Sequence, residues 1–158
     1  MRLSESLCES ENQQIITEMG NVLKYAQIAS YFEDLQLNNL ADYFKKQSLD
    51  EKSHADKFMN HLNDRTGGKV VIGEVPAPNL ELNSLLDVAN AYVTVEEETT
   101  ESIEGLYEMA LSEKSYMDLG FFSKMLDEQY LEEREATKFQ KNIEMVKDIV
   151  LFDRTFGD

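Results

Sequence analysis

Only two prolines interrupt this chain of 158 residues, Pro76 and Pro78, and they stand almost together at its midpoint. Residues 1–75 and 79–158 are therefore free to run as long helices, because no missing backbone N–H breaks the ladder. Three of the seven glycines, Gly67, Gly68 and Gly73, crowd the same stretch, so residues 66–80 (TGGKVVIGEVPAPNL) read as a loop or linker. Within it VVIGEV has strand character but no evident pairing partner.

Each proline-free half carries apolar residues at helical spacing. Ile15, Val22, Tyr25, Ala29 and Phe32 form one stripe, and Leu35–Asn39 breaks it with Asn38-Asn39 as turn formers. Leu40, Phe44, Ser48, Ala55, Phe58 and Leu62 form the next. Past the central loop, Asn83 or Ser84 can cap a third helix whose stripe is Leu86, Ala89, Val93, Thr100, Ile103, Tyr107 and Ala110. The polar break SEKSYMD leads to Phe122, Met125, Ala136, Phe139, Ile143 and Val146, and LFDRTFGD reads as a short tail or one helical turn. Helices are thus expected over about 6–34, 38–65, 83–110 and 118–147, in one domain spanning 1–158. Each would be ~38 Å long. Two short turns give two antiparallel hairpins, and the long middle loop can cross the length of the bundle. The expected fold class is all-α, a four-helix bundle with one crossover and a short C-terminal tail or helix.

Charge narrows the function. The chain carries 31 acidic against 15 basic residues, a formal net charge of −16, which repels phosphate backbones and attracts cations. Nucleic acid is excluded as a partner on that ground. The 42 % hydrophobic content is enough for a packed core and argues against disorder. One cysteine, Cys8, cannot close an internal disulfide and offers no paired-thiol zinc site. MRLSESLCESEN has no apolar run of a signal peptide, and no stretch approaches a membrane span. The expectation is a soluble, cytoplasmic chain without a membrane partner.

The apolar stripes have gaps, and each gap holds something polar. Glu18 lies between Ile15 and Val22, Glu51 and His54 between Ser48 and Phe58, Glu96 between Val93 and Thr100, and Gln129 with Glu132 between Met125 and Ala136. An inward carboxylate is costly unless compensated, and the sequence supplies no inward Lys or Arg at the same level. A bound cation would suffice. The spacing repeats: Glu18 to Glu51 and Glu96 to Gln129 are each 33 residues, and Glu18 to His54 and Glu96 to Glu132 are each 36. One shift of 78 maps 18, 51 and 54 onto 96, 129 and 132, so the chain reads as two related hairpins. Residues level with each other straddle a turn equally, which sets the turn centres near 35–36 and 113–114, where the pattern already breaks. All six side chains then converge at one level.

Glu51-x-x-His54 and Gln129-x-x-Glu132 are i, i+3 pairs that share a helix face. One Glu from each of two helices plus such a pair from each of the others is a carboxylate-bridged two-metal layout. Oxygen-rich sites with one imidazole suit iron or manganese better than zinc or copper. Taken singly, each residue has a plainer reading. A lone glutamate is ordinarily solvated and a lone histidine ordinarily packed; it is the repeated spacing that joins them. His61, seven residues after His54, has no partner motif and reads as structural or interfacial. Glu97, Glu98, Glu101, Glu104, Glu133 and Glu135 read as solvated charge runs, and Cys8 as inert.

At these residues the chain resembles the ferritin family, in its prokaryotic non-haem branch. Glu18 with Tyr25 seven later, LDEKSHA, VEEETTESIEGLY and DEQYLEE are similar to ferroxidase-centre segments, and EETTESI is like cyanobacterial-type ferritins. The resemblance implies a ferritin-like bundle in which Glu18, Glu51 and His54 hold one iron and Glu96 and Glu132 the second, with Glu51 bridging. It places Gln129 beside the second iron, as ligand or catalytic neighbour, and Tyr25 hydrogen-bonded near the centre with a catalytic part. It implies Fe(II) oxidation by O2 and storage of ferric mineral in a hollow homo-oligomeric shell of twenty-four subunits. A third iron site in some relatives uses acids matched here by Asp50 and Glu128, but Leu131 stands where a further acid is expected. Haem is not implied, because Lys52 occupies the position where bacterioferritins use a haem-binding Met. The tail after Val146 leaves little room for the usual fifth helix. Two alternatives stay open: a stand-alone di-iron or di-manganese oxidase or peroxidase without a shell, and a non-catalytic acidic bundle.

Overall fold

Capping decides where the helices begin. A computed structural model describes residues 1–157, with α1 at Glu5–Asp34, α2 at Asn38–Asp64, α3 at Leu85–Ser112, α4 at Tyr116–Met145 and α5 at Ile149–Arg154. The Ser4 hydroxyl accepts from the Leu7 amide (3.1 Å), and the Ser84 hydroxyl accepts from the Asp87 amide (3.1 Å) while Asp87 accepts from Asn83. Of the two cap candidates for the third helix, Ser84 does the capping. Val70–Val75 is unpaired, and no strand occurs among the described residues.

The two reversals are copies of each other. Gln36 and Lys114, 78 residues apart, both take left-handed backbone (φ 58° and 59°). Beside them the Leu37 amide donates to Phe32 O (3.0 Å) and the Ser115 amide to Ala110 O (2.8 Å), again at an offset of 78. Each is the six-to-one closure that ends a helix through a left-handed residue. The internal repeat therefore extends from the spacing of polar residues to the backbone of the turns. It also has a contact on its own axis, for Asn21 donates to Thr99 (2.8 Å), its partner under the same shift.

The crossover travels the length of the bundle. Asn12 of α1 grips its start, donating to Lys69 O (2.8 Å) and accepting from the Val71 amide (2.8 Å). Val70 packs in the apolar cluster around Leu7, Ile15, Phe58, Ile103 and Phe122, whereas Leu80 and Leu82 pack in the cluster around Phe32, Phe44, Tyr92 and Phe139. The core is thus divided in two, and the polar level lies between the halves.

On α3 the buried face differs from the expected stripe. Ala89, Ile103 and Ala110 are buried, but Leu86 is 49 % exposed, and Val93, Thr100 and Tyr107 are only partly covered. Val88, Tyr92, Val95, Thr99 and Leu106 point inward instead. Tyr92 explains the rotation: its ring meets Tyr25, Phe44 and Phe139 at 5.2–5.7 Å between centroids, and its hydroxyl pairs with that of Tyr43 (2.8 Å). A large ring with a satisfied polar tip outcompetes the smaller valine one position later.

The tail forms a docked helix. Phe152 of α5 and Phe156 just beyond it pack against Phe139, and Phe156 meets Tyr43 edge-on at 5.1 Å. Asp153 finishes the start of α2, accepting from the Leu40 amide (2.8 Å) and the Asn39 side chain (3.4 Å), where Leu37 offers no side-chain cap of its own. Asp153→Ala should lower stability by ~1 kcal/mol, the worth of a helix cap, and Asp153→Asn by less. Urea midpoints of the three proteins check this.

Candidate metal centre

Glu18 comes from α1, and Glu51 and His54 from successive turns of α2, so one face of the first hairpin presents all three. One donor atom from each lies within 4.8 Å of the others. His54 Nδ1 is 3.6 Å from Glu51 Oε2 and 3.9 Å from Glu18 Oε2. Glu18 and Glu51 are fully buried, and Glu18 Oε2, both Glu51 oxygens and His54 Nδ1 have no hydrogen-bond partner. Buried polar atoms are nearly always paired, so four unpaired donor atoms aimed into one space form a group that could hold a metal ion.

The second hairpin contributes differently. Glu96 is fully buried on α3, its Oε1 accepting from the Tyr25 hydroxyl and its Oε2 from Gln129 Nε2 (3.0 Å). Gln129 also donates to the Glu96 carbonyl (3.2 Å), so two donors fix the carboxylate in place. Glu132 is half-buried beside His54 on the wall of a cavity of about 210 Å³ between α2 and α4, which Asp50 and Glu128, also half-buried, line with it. Leu131 is 55 % exposed. Glu96 and Glu132 stand outside the tight Glu18–Glu51–His54 group but share its field.

That field is strongly unfavourable to negative charge. Burial pushes the Glu18 carboxyl well above its ordinary range, with the neighbouring Glu51 adding to it. Burial raises Glu51 to about 8, with the charges of Glu96 and Glu132 adding to the effect. Burial and then Glu96 raise Glu132 to about 7, and burial raises Glu96 despite its bonds from Tyr25 and Gln129. Tyr25 stays protonated because burial and the adjacent Glu96 carry its hydroxyl far above 10. Without a cation such a cluster holds protons. A divalent ion would displace them, and the hard, anionic, oxygen-rich donors with one imidazole fit iron or manganese.

A ring of neutral polar groups surrounds the charges. Gln14 donates to Glu18 Oε1 (3.0 Å) and accepts from Ser102, and Asn21 reaches Thr99. The repeat offset marks Asn21 and Thr99 as partners; Gln14 and Ser102 carry no such signal.

His61 is separate from this level. Its Nδ1 faces both Glu11 oxygens at 2.9 Å and its Nε2 faces Asp118 at 3.1 Å, while Arg65 Nε donates to Asp118 (2.6 Å). The ring stacks on Phe121 at 4.2 Å. The structural reading of His61 thus acquires a definite form, a charge network joining α1, α2 and α4. Cys8 is half-buried, near Lys69 O.

The ferritin-like domain family model matches residues 12–146. The chain is 31 % identical over 131 residues to the bacterial non-haem ferritin of Staphylococcus aureus strain USA300, a match covering 83 % of this chain and 78 % of that protein. Against the bacterial non-haem ferritin of Staphylococcus haemolyticus it is 29 % identical over 147 residues, 93 % of this chain and 86 % of that protein. Among solved structures, the open pore ferritin of the hyperthermophilic archaeon Archaeoglobus fulgidus matches with a TM-score of 0.93 at 27 % identity, covering 98 % of this chain and 97 % of that one. No helix among the described residues is long and apolar enough to cross a membrane. Fold, motifs and these likenesses agree, and the chain belongs to the ferritin family, among its prokaryotic non-haem members.

Proposed function

We propose that this ferritin oxidises Fe(II) to Fe(III) with O2 at the buried carboxylate level and stores the ferric product in a hollow shell of twenty-four copies. The unpaired, fully buried oxygens of Glu18 and Glu51 beside His54 Nδ1 carry the reading, because an iron substrate is what satisfies them. Glu18, Glu51 and His54 take one Fe(II), and Glu96 with Glu132 takes the second, with Glu51 between them. Gln129 and Tyr25 orient Glu96 and keep its two oxygens in place. Each Fe(II) gives up one electron and O2 accepts them. Hard anionic ligands favour Fe(III) over Fe(II), which drives the electrons outward. The charge of −16 draws Fe(II) toward the protein and gives ferric oxide acidic surfaces on which to grow.

Aerobic addition of Fe(II), with native mass and iron content, tests the proposal. The expected result is ferric absorbance appearing faster than in buffer alone, a particle many times the 18.2 kDa chain, and far more than two irons per chain. Oxidation no faster than buffer would refute the ferroxidase. A small oligomer keeping only two irons per chain would favour the stand-alone di-metal oxidase or peroxidase.

A further inference from the structure

His54 has two ring nitrogens and they face different ways. Nδ1 points inward to Glu51 and Glu18, at 3.6 and 3.9 Å. Nε2 points out toward α4, 3.5 Å from Glu128 Oε2. A neutral imidazole that offers the Nδ1 lone pair to a cation carries its hydrogen on Nε2. The group facing that hydrogen is therefore Glu128. Its Oε2 is buried and makes no hydrogen bond, while its Oε1 accepts from Lys57 Nζ at 2.6 Å. Lys57 lies one turn after His54 on α2, so both groups that engage Glu128 come from one helix.

Resting on the proposed Fe(II) site, we infer that Glu128 is a positioning residue for His54, anchored by Lys57, and not a ligand for an additional cation. Its carboxylate accepts the Nε2 hydrogen, holds the ring in the tautomer that leaves Nδ1 free, and makes that nitrogen more basic. At 3.5 Å the contact is longer than a formed hydrogen bond, and contacts of this kind tighten when a site is filled. The Lys57 ammonium matches the charge of Glu128, and a cation binding there would have to break that pair. With Glu128 held by Lys57 and Leu131 offering no side-chain oxygen, only Asp50 and Glu132 remain as carboxylate donors on that wall.

Titration of the full-length apo-protein with Co(II) tests this, by calorimetry and by the visible absorption of imidazole-ligated cobalt. Glu128→Ala should weaken the tightest Co(II) site ~10–100-fold. Glu128→Gln, whose amide oxygen still accepts from Nε2, should stay within about threefold of wild type, as expected when the orienting bond survives. The number of Co(II) bound per chain should be the same in all three. Glu128→Met, equal in length and without an acceptor, should match Glu128→Ala and serves if the alanine variant misfolds. Wild-type affinity in Glu128→Ala or Glu128→Met would overturn the inference. So would the loss of one Co(II) per chain in Glu128→Gln, which is the behaviour of a ligand. Wild-type protein that binds no Co(II) would remove the metal site itself and this role with it.

Discussion

Glu51→Ala reduces Fe(II) oxidation to the rate of buffer alone and leaves the apo-protein less sensitive to alkali than the wild type. Both effects come from one position. Glu51 faces Glu18 and His54 on one side and lies in the field of Glu96 and Glu132 on the other, so the variant deprives both proposed Fe(II) positions of their shared oxygen donor. The stability effect has the opposite sign. Burial raises the Glu51 carboxyl from 4.5 in the unfolded chain to about 8 in the folded one. A group whose pKa rises on folding lends stability that is complete below its unfolded value and is lost as pH climbs through its folded value. Apo wild type should therefore weaken between about pH 5 and 8, and Glu51→Ala, lacking that group, should weaken less. Melting temperatures of both apo-proteins across this range, with and without a divalent cation, check the sign. At roughly 2–4 °C per kcal/mol the difference is measurable. Wild-type oxidation rates in the variant would refute the assignment of Glu51. An equally steep pH dependence would show that Glu51 does not sit ionised at a cost.

Asp118→Ala should destabilise the protein by ~3–5 kcal/mol, the usual loss when one partner of a buried ion pair is removed. Asp118 is fully buried and accepts from Arg65 through both oxygens (2.6 and 3.1 Å), from Ser115 (2.5 Å), and faces His61 Nε2. Burial pushes its carboxyl up, but the bonds from Arg65 and Ser115 outweigh that and hold it below its usual range. A group depressed on folding gives stability that is present above its unfolded value and lost as pH falls through its folded value. The acid limb of wild-type unfolding, below about pH 4, should accordingly be flatter in the variant. His61 makes the loss larger than one bond. Its two ring nitrogens face carboxylates on opposite sides, Glu11 at 2.9 Å and Asp118 at 3.1 Å, and burial raises the Glu11 carboxyl. Without Asp118 the Arg65 guanidinium and the His61 Nε2 lose the carboxylate they share, and Glu11 is the acid left in the network. Urea unfolding at pH 7 reads the difference, and a loss under 1 kcal/mol would mean that solvent reaches the network freely.

The parts of this molecule that repeat are the parts that could be read in advance. The 78-residue shift ties Glu18 to Glu96 and His54 to Glu132, and with them the reversals at Gln36 and Lys114, because two related hairpins must turn at related places. Glu18, Glu51 and His54 were detectable because a carboxylate in an apolar stripe contradicts its surroundings. Asp118 was not. It lies one turn before Phe122, where the apolar stripe of α4 begins, and its partners His61 and Arg65 come from the end of α2 and the residue after it, so nothing local betrays it. The inward turn of Tyr92 was hidden for a different reason. Spacing on α3 admits two adjacent faces, and the choice is made by ring packing with Phe44 and Phe139, which are 48 and 47 residues away. Glu128 is hidden in a third way, since DEQYLEE offers four acids within seven residues and only the position of Lys57 distinguishes one of them.

The cap that Asp153 supplies to α2 has a consequence for the order of synthesis. It joins residues 113 apart, so the helix that carries Glu51 and His54 leaves the ribosome long before the group that finishes its first turn. At typical elongation rates that gap is ~6–20 s. Through that interval the α1–α2 hairpin is a nascent chain with a frayed end and half of the proposed metal ligands. Completion of the bundle is therefore a late event, coupled to emergence of the last helix.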